Sequence, residues 1–96
     1  MLNPKELLNM QREAKKMQKR LREKKISGES KDGMLKLFMN GAQEFEDVWV
    51  DDVLLDPEMM DRFKKDMKEA FKEYQKKLQK EMAQDMDIDK LKGMFS

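Results

Sequence analysis

The sequence predicts an α+β fold: an α-β-β-β-α protomer with a three-stranded antiparallel sheet flanked by two long helices. Three observations predict it. Two segments, Pro4 to Lys24 and Pro57 onward, repeat apolar residues at helical spacing. Between them, Ile26 to Asp51 alternates apolar and polar residues with period 2. That block is cut by Lys31-Asp32-Gly33 and Asn40-Gly41. Asp-Gly and Asn-Gly are strong hairpin signals, because type I′ turns need φ > 0 at both central residues.

The first helix starts well. Asn3 is a good N-cap and Pro4 suits the first helical position. Leu7, Met10, Ala14, Met17 and Leu21 follow one another at spacings of three and four, an a/d seam two heptads long. The other face carries Lys5, Arg12, Lys15, Lys16, Lys19 and Arg22. Arg12–Lys16–Arg20 and Lys15–Lys19 are like-charge neighbours, each costing ~0.2–0.5 kcal/mol in an isolated helix. Two readings fit: a solvated basic face, or a stripe that meets phosphates. A helix of this length spans ~32 Å. A strand of about seven residues spans ~23 Å, and three paired strands are only ~14 Å across. The helix must overhang its sheet, so its seam is expected to meet a second chain in a symmetric homodimer.

In the strand block, Leu35, Leu37 and Met39 alternate with Lys36, Phe38 and Asn40, and Val48 and Val50 with Asp47, Trp49 and Asp51. The first set is expected on the core. Gly28 suits a strained or closely packed backbone position. Phe38, Phe45 and Trp49 are expected together on the second sheet face, as a dimer, helix-covered or docking surface. A base-stacking platform is the weaker reading, because Glu44, Glu46, Asp47, Asp51 and Asp52 would repel phosphates.

After the connector Val53-Leu54-Leu55, Asp56 is the expected cap of the second helix, with Pro57 at its first position. Met60, Phe63, Met67, Ala70, Phe71, Tyr74, Leu78 and Met82 mark a wide core stripe. Lys64, Lys68, Lys72, Lys76 and Lys80 wind around the helix, tempered by Glu69, Glu73 and Glu81, with the far half the expected ligand contact. The domain is expected to span residues 1–83, with a tail at 84–96. There Ile88, Leu91, Met94 and Phe95 could form one amphipathic turn. Asp85, Asp87 and Asp89 imitate a calcium loop, but Lys90 and Ser96 stand where that loop needs Gly and Glu.

Composition narrows the function. Ninety-six residues with 39% hydrophobic and 43% charged residues make one domain with a thin core, for which oligomerisation is a common supplement. The net charge is +1, but it is segregated: +6 over residues 1–25, −8 over 26–61 and +3 over 62–96. Basic helices thus surround an acidic sheet, a distribution more informative than the total where a polyanion is a candidate partner. The 11 methionines mostly fall at core spacing and read as gap-fillers. Cysteine and histidine are absent, and Ser27, Ser30 and Ser96 have no base pattern nearby. No phosphate-binding glycine loop or zinc-ligand set is visible. The chain reads as a non-enzyme with no catalytic residue, cofactor or metal. With no long apolar run and no signal-peptide core, it is expected in the cytoplasm, off the membrane.

The combined pattern resembles the YbaB/EbfC family of bacterial nucleoid-associated proteins. Carrying the resemblance are Leu7-Leu8-Asn9-Met10-Gln11, Met17-Gln18-Lys19 and Ile26-Ser27-Gly28-Glu29-Ser30. Gly33, Asn40-Gly41, Val48-Trp49-Val50-Asp51 and Leu54-Leu55 complete it. It runs from about residue 5 to 83. Asp52-Val53 departs from it, standing where Pro-Ser or similar small residues are frequent. The resemblance implies a tweezer-like homodimer that binds double-stranded DNA in the nucleoid through its protruding helices. The mechanism expected of such a dimer is electrostatic: Arg12, Lys15, Lys16, Lys19 and Arg22 on the basic face of the first helix contact phosphates, aided by Lys72, Lys76 and Lys80. Leu7, Met10, Ala14, Met17 and Leu21 fall at the dimer interface. The alternative is a protein-interaction or assembly module that uses the aromatic sheet face and the apolar tail toward an unidentified protein partner.

Overall fold

The computed structural model describes residues 3–85. Helix α1 covers Pro4–Glu23, strands β1, β2 and β3 cover Lys25–Glu29, Leu35–Asn40 and Phe45–Val50, and helix α2 covers Met60–Asp85. The strands form an antiparallel meander in the order β1-β2-β3. The α+β architecture of two long helices and a three-stranded sheet is thus as the sequence predicts. The expected amphipathic turn at Ile88, Leu91, Met94 and Phe95 lies outside the described residues.

The N-cap of α1 is Asn3, whose side chain accepts the N–H of Glu6 at 2.8 Å. Asp56 caps differently from expectation. It accepts the N–H of Glu58 at the head of a 3₁₀ turn, Pro57–Met59, and α2 follows from Met60. A similar turn, Asp52–Leu55, is capped by Asp51.

The core lies between the sheet and α2. Leu35, Leu37, Met39, Leu54, Ala70 and Tyr74 form one buried cluster. Val48, Val50, Phe63, Met67 and Leu78 pack against it half-buried. Two residues of the expected α2 stripe are outside: Met60 is 53% and Phe71 43% exposed. Met60 is the first residue of α2, and Phe71, at the margin of the stripe, packs edge-on against Tyr74. The stripe also holds a buried residue that apolar spacing did not select, Asp66.

Neither turn is the two-residue hairpin that its Asp-Gly or Asn-Gly pair suggests. Gly33 has φ 73° in a longer turn closed by the bond from Ser30 N–H to the Leu35 carbonyl. In the second turn the left-handed residue is Gln43, φ 62°, and not Gly41. Asn40 shapes that turn through its side chain, whose Oδ1 accepts from the N–H groups of Ala42 and Glu44. The Tyr74 hydroxyl reaches across from α2 and donates to the Asn40 carbonyl at 2.8 Å. Gly41 serves proximity. Its N–H donates to the carbonyls of Leu21 and Lys24 at the end of α1, and a Cβ would stand 2.7 Å from the Leu21 oxygen.

Across the sheet Phe38 lies opposite Asp47 and Lys36 opposite Trp49, so Phe38 and Trp49 share the outer face diagonally. A register shift after Phe38 puts Phe45 opposite Met39 and takes it out of that alternation.

Candidate nucleic-acid interface

Helix α1 leaves the body of the protomer. It has no buried residue and meets the sheet mainly at β2. Leu21 alone of its seam is half-buried, whereas Leu7, Met10 and Met17 are 47–56% exposed. The helix therefore carries two open stripes on one short rod, one apolar and one basic.

On the basic stripe, Arg12, Lys15, Lys16, Lys19 and Arg22 are all exposed. Lys16, Lys19 and Arg20 line a shallow hollow whose acidic members are Glu13 and Glu23. The Lys16–Glu13 contact is 4.0 Å long with both side chains mostly in solvent, so it neutralises little. Arg22 is different. Its Nε donates to Glu44 at 3.0 Å, tying the end of α1 to the β2–β3 turn. Hydrogen bonds from Asn40 and Arg22 hold the Glu44 carboxyl below its usual range. Arg22 is thus partly engaged within the protomer, and Arg12, Lys15, Lys16 and Lys19 are the more available set.

The three α2 residues are exposed and line two hollows. Lys72 and Lys76 line an open cleft of about 780 Å³ beside the β1–β2 turn. Lys80 belongs to a separate groove with Lys25, Ser27 and Lys77. The cleft also gathers Lys31, Lys64, Lys65 and Lys68, which the sequence reading did not assign to ligand contact. The near half of the lysine ladder is therefore as accessible as the far half. The signal was present in the i,i+4 ladder itself, but Lys31 comes from a turn that only the packing of β1 under α2 brings there. Glu29, Asp61, Glu69 and Glu73 share the cleft walls, so its charge is mixed, as it is in the α1 hollow.

Among the described residues no group of three or more metal-ligating side chains is placed to hold an ion, and no helix is long and apolar enough to cross a membrane.

A sequence model of the YbaB/EbfC DNA-binding family matches residues 3–91. No curated protein matches the chain in sequence. Among solved structures, the crystal structure of an uncharacterized protein, HP0035 from Helicobacter pylori, is similar at 20% identity and a TM-score of 0.57. The match covers 81% of this chain and 90% of that one. At that identity the likeness speaks for the fold.

Proposed function

The chain belongs to the YbaB/EbfC DNA-binding family, a nucleoid-associated family, and from that premise we propose that it binds duplex DNA as a homodimer through the basic faces of its α1 helices. Arg12, Lys15, Lys16 and Lys19 of both protomers contact phosphates, with Arg22 at the edge of the stripe and Lys72, Lys76 and Lys80 as auxiliary contacts. The apolar seam Leu7, Met10, Ala14, Met17 and Leu21 is the dimer contact. The place of action is the nucleoid in the cytoplasm, with a role in nucleoid organisation or gene regulation.

One observation carries this reading: α1 projects with its basic stripe exposed and scarcely neutralised by its own protomer. Phosphate contacts of this kind position a protein on DNA and carry little sequence information. If four to six phosphates are neutralised, log K against log salt should fall with a slope of ~−4 to −5 on B-DNA. A titration of duplex DNA at several salt concentrations measures it. A slope near zero, or no binding at low salt, overturns the proposal.

A second reading, a protein-interaction module, is favoured by Phe45, Trp49, Val53 and Leu55. They are 49–63% exposed amid acidic neighbours. It becomes the better one if duplex DNA does not bind.

A further inference from the structure

A polar cluster joins α2 to the β1–β2 turn, and the proposed DNA contact makes no use of it. Asp66 lies on the apolar stripe of α2, three residues after Phe63 and four before Ala70, and is 1% exposed. Neither of its carboxyl oxygens has a hydrogen-bond donor. Arg62 Nε stands 3.5 Å from Oδ1, an ion-pair distance, but its guanidinium is committed to Asp32. Arg62 Nε and Nη2 reach Asp32 Oδ2 at 2.9 and 2.7 Å. Asp32 Oδ1 accepts the Ser30 hydroxyl at 2.6 Å and the Met34 N–H at 3.0 Å. Asp32 is therefore well supplied with donors, whereas its buried neighbour Asp66 has an ion-pair contact but no hydrogen bond.

An unserved buried carboxylate is among the costliest groups a fold can hold. A proton on Asp66 removes that cost and turns the side chain into a donor, with the Asp32 carboxylate as its acceptor. We propose that Asp66 and Asp32 share one proton across this junction and form a pH-sensitive latch that ties α2 to the β1–β2 turn and loosens when the proton leaves. Next to this junction, Lys31 on the turn and Lys64, Lys65 and Lys68 on α2 line the same cleft.

The electrostatics agree with the geometry. Burial, then the adjoining Asp32 carboxylate, pushes the Asp66 carboxyl up. Burial works against Asp32 too, but the Ser30 hydroxyl, the Met34 N–H, Asp66 and Arg62 outweigh it and hold Asp32 well below the usual range. Three charged groups act on Asp66: Asp32 from the turn, and Arg62 and Glu69 from α2 itself. Glu69 also accepts the N–H of Lys31 at 3.3 Å. β2 and the 52–55 turn contribute Leu35 and Leu54 to the buried core, and neither carries a charge. The signs oppose. The raised Asp66 contributes stability that is full below the ordinary aspartate value of 3.8 and is lost as pH rises through its folded-state value. The lowered Asp32 contributes stability above 3.8 that is lost as pH falls. The latch is closed between the two, with one proton in the pair.

Two measurements on the full chain test this. Carboxyl-carbon NMR titration of the wild type should show Asp66 still protonated at pH values where Asp32 is ionised. The thermal midpoint of the wild type should drop by at least ~5 °C as Asp66 loses its proton, the effect of a roughly tenfold change in the folding equilibrium for a domain of this size. Asp66→Asn keeps a donor facing Asp32 and cannot titrate, so it should lack that drop. Titration of Asp66 at or below the ordinary aspartate value would overturn the latch, as would parallel midpoint curves for the two proteins. If the variant does not fold, the NMR titration decides alone.

Discussion

Gly28 lies where β1 passes under α2, and a methyl group there would overlap the Ala70 carbonyl oxygen and stand 2.6 Å from the Tyr74 amide nitrogen. Both obstacles are helix backbone, which cannot yield as a flexible side chain could. Gly28→Ala should therefore lift α2 from the sheet and cost at least ~2 kcal/mol. Gln43 is the opposite case. Its φ of 62° is a conformation that glycine adopts freely and other residues adopt at a cost of ~1–2 kcal/mol. Gln43→Gly should recover part of that, less the backbone entropy glycine adds to the unfolded chain. Urea midpoints of the two variants should move in opposite directions from wild type.

At the scale of elements, α1 is the anomaly. A lone helix of 20 residues with like charges along one face is marginal in water. Its C-terminal carbonyls are held by the Gly41 N–H, and Arg22 is held by Glu44. Its remaining side chains pack on almost nothing within the protomer. Reversing Lys15, Lys16 and Lys19 together should abolish binding to duplex DNA. It should leave folding and assembly intact, since these positions lie off the seam. Lys36→Glu is the proper control. Lys36 stands 5.3 Å over the Phe38 ring on the outer sheet face, beside the acidic strand β3. Lys31 would be a poorer control, because it shares a cleft with the α2 lysines. Equal loss in both variants, or in neither, would remove the phosphate assignment from α1.

At the scale of the molecule, extents of 59 × 33 × 20 Å describe a body with an arm. The body has its core between α2 and the sheet. The arm carries exposed Leu7, Leu8, Met10 and Met17 in a chain whose composition is 43% charged. The proposed dimer would cover that stripe. Met17 is 56% exposed in the protomer, so Met17→Asp should spare its fold and break association. Sedimentation at micromolar concentration should show a dimer for the wild type and a monomer for the variant. A monomeric wild type would overturn the assembly proposal.

Local rules sufficed for much of this protein. Period 2 against period 3.6 determined the order of elements, because side-chain direction follows directly from backbone repeat. Asn3 capped the first helix as a local rule says it should, and the basic stripe of α1 was legible because a helix places charges by spacing alone. Other features needed the packed structure. The Asn-Gly pair looked like a turn with φ > 0 at Gly41, yet Gly41 is there because α1 ends against it. Lys31 joins the α2 lysines only once β1 lies under the helix. Asp66 stands four residues after Arg62, the spacing of an ordinary helix-surface pair. It is buried, and Arg62, 3.5 Å from it, hydrogen-bonds Asp32. Burial and long-range pairing are properties of distances between segments, and a linear pattern carries them only where the segments are neighbours in the chain.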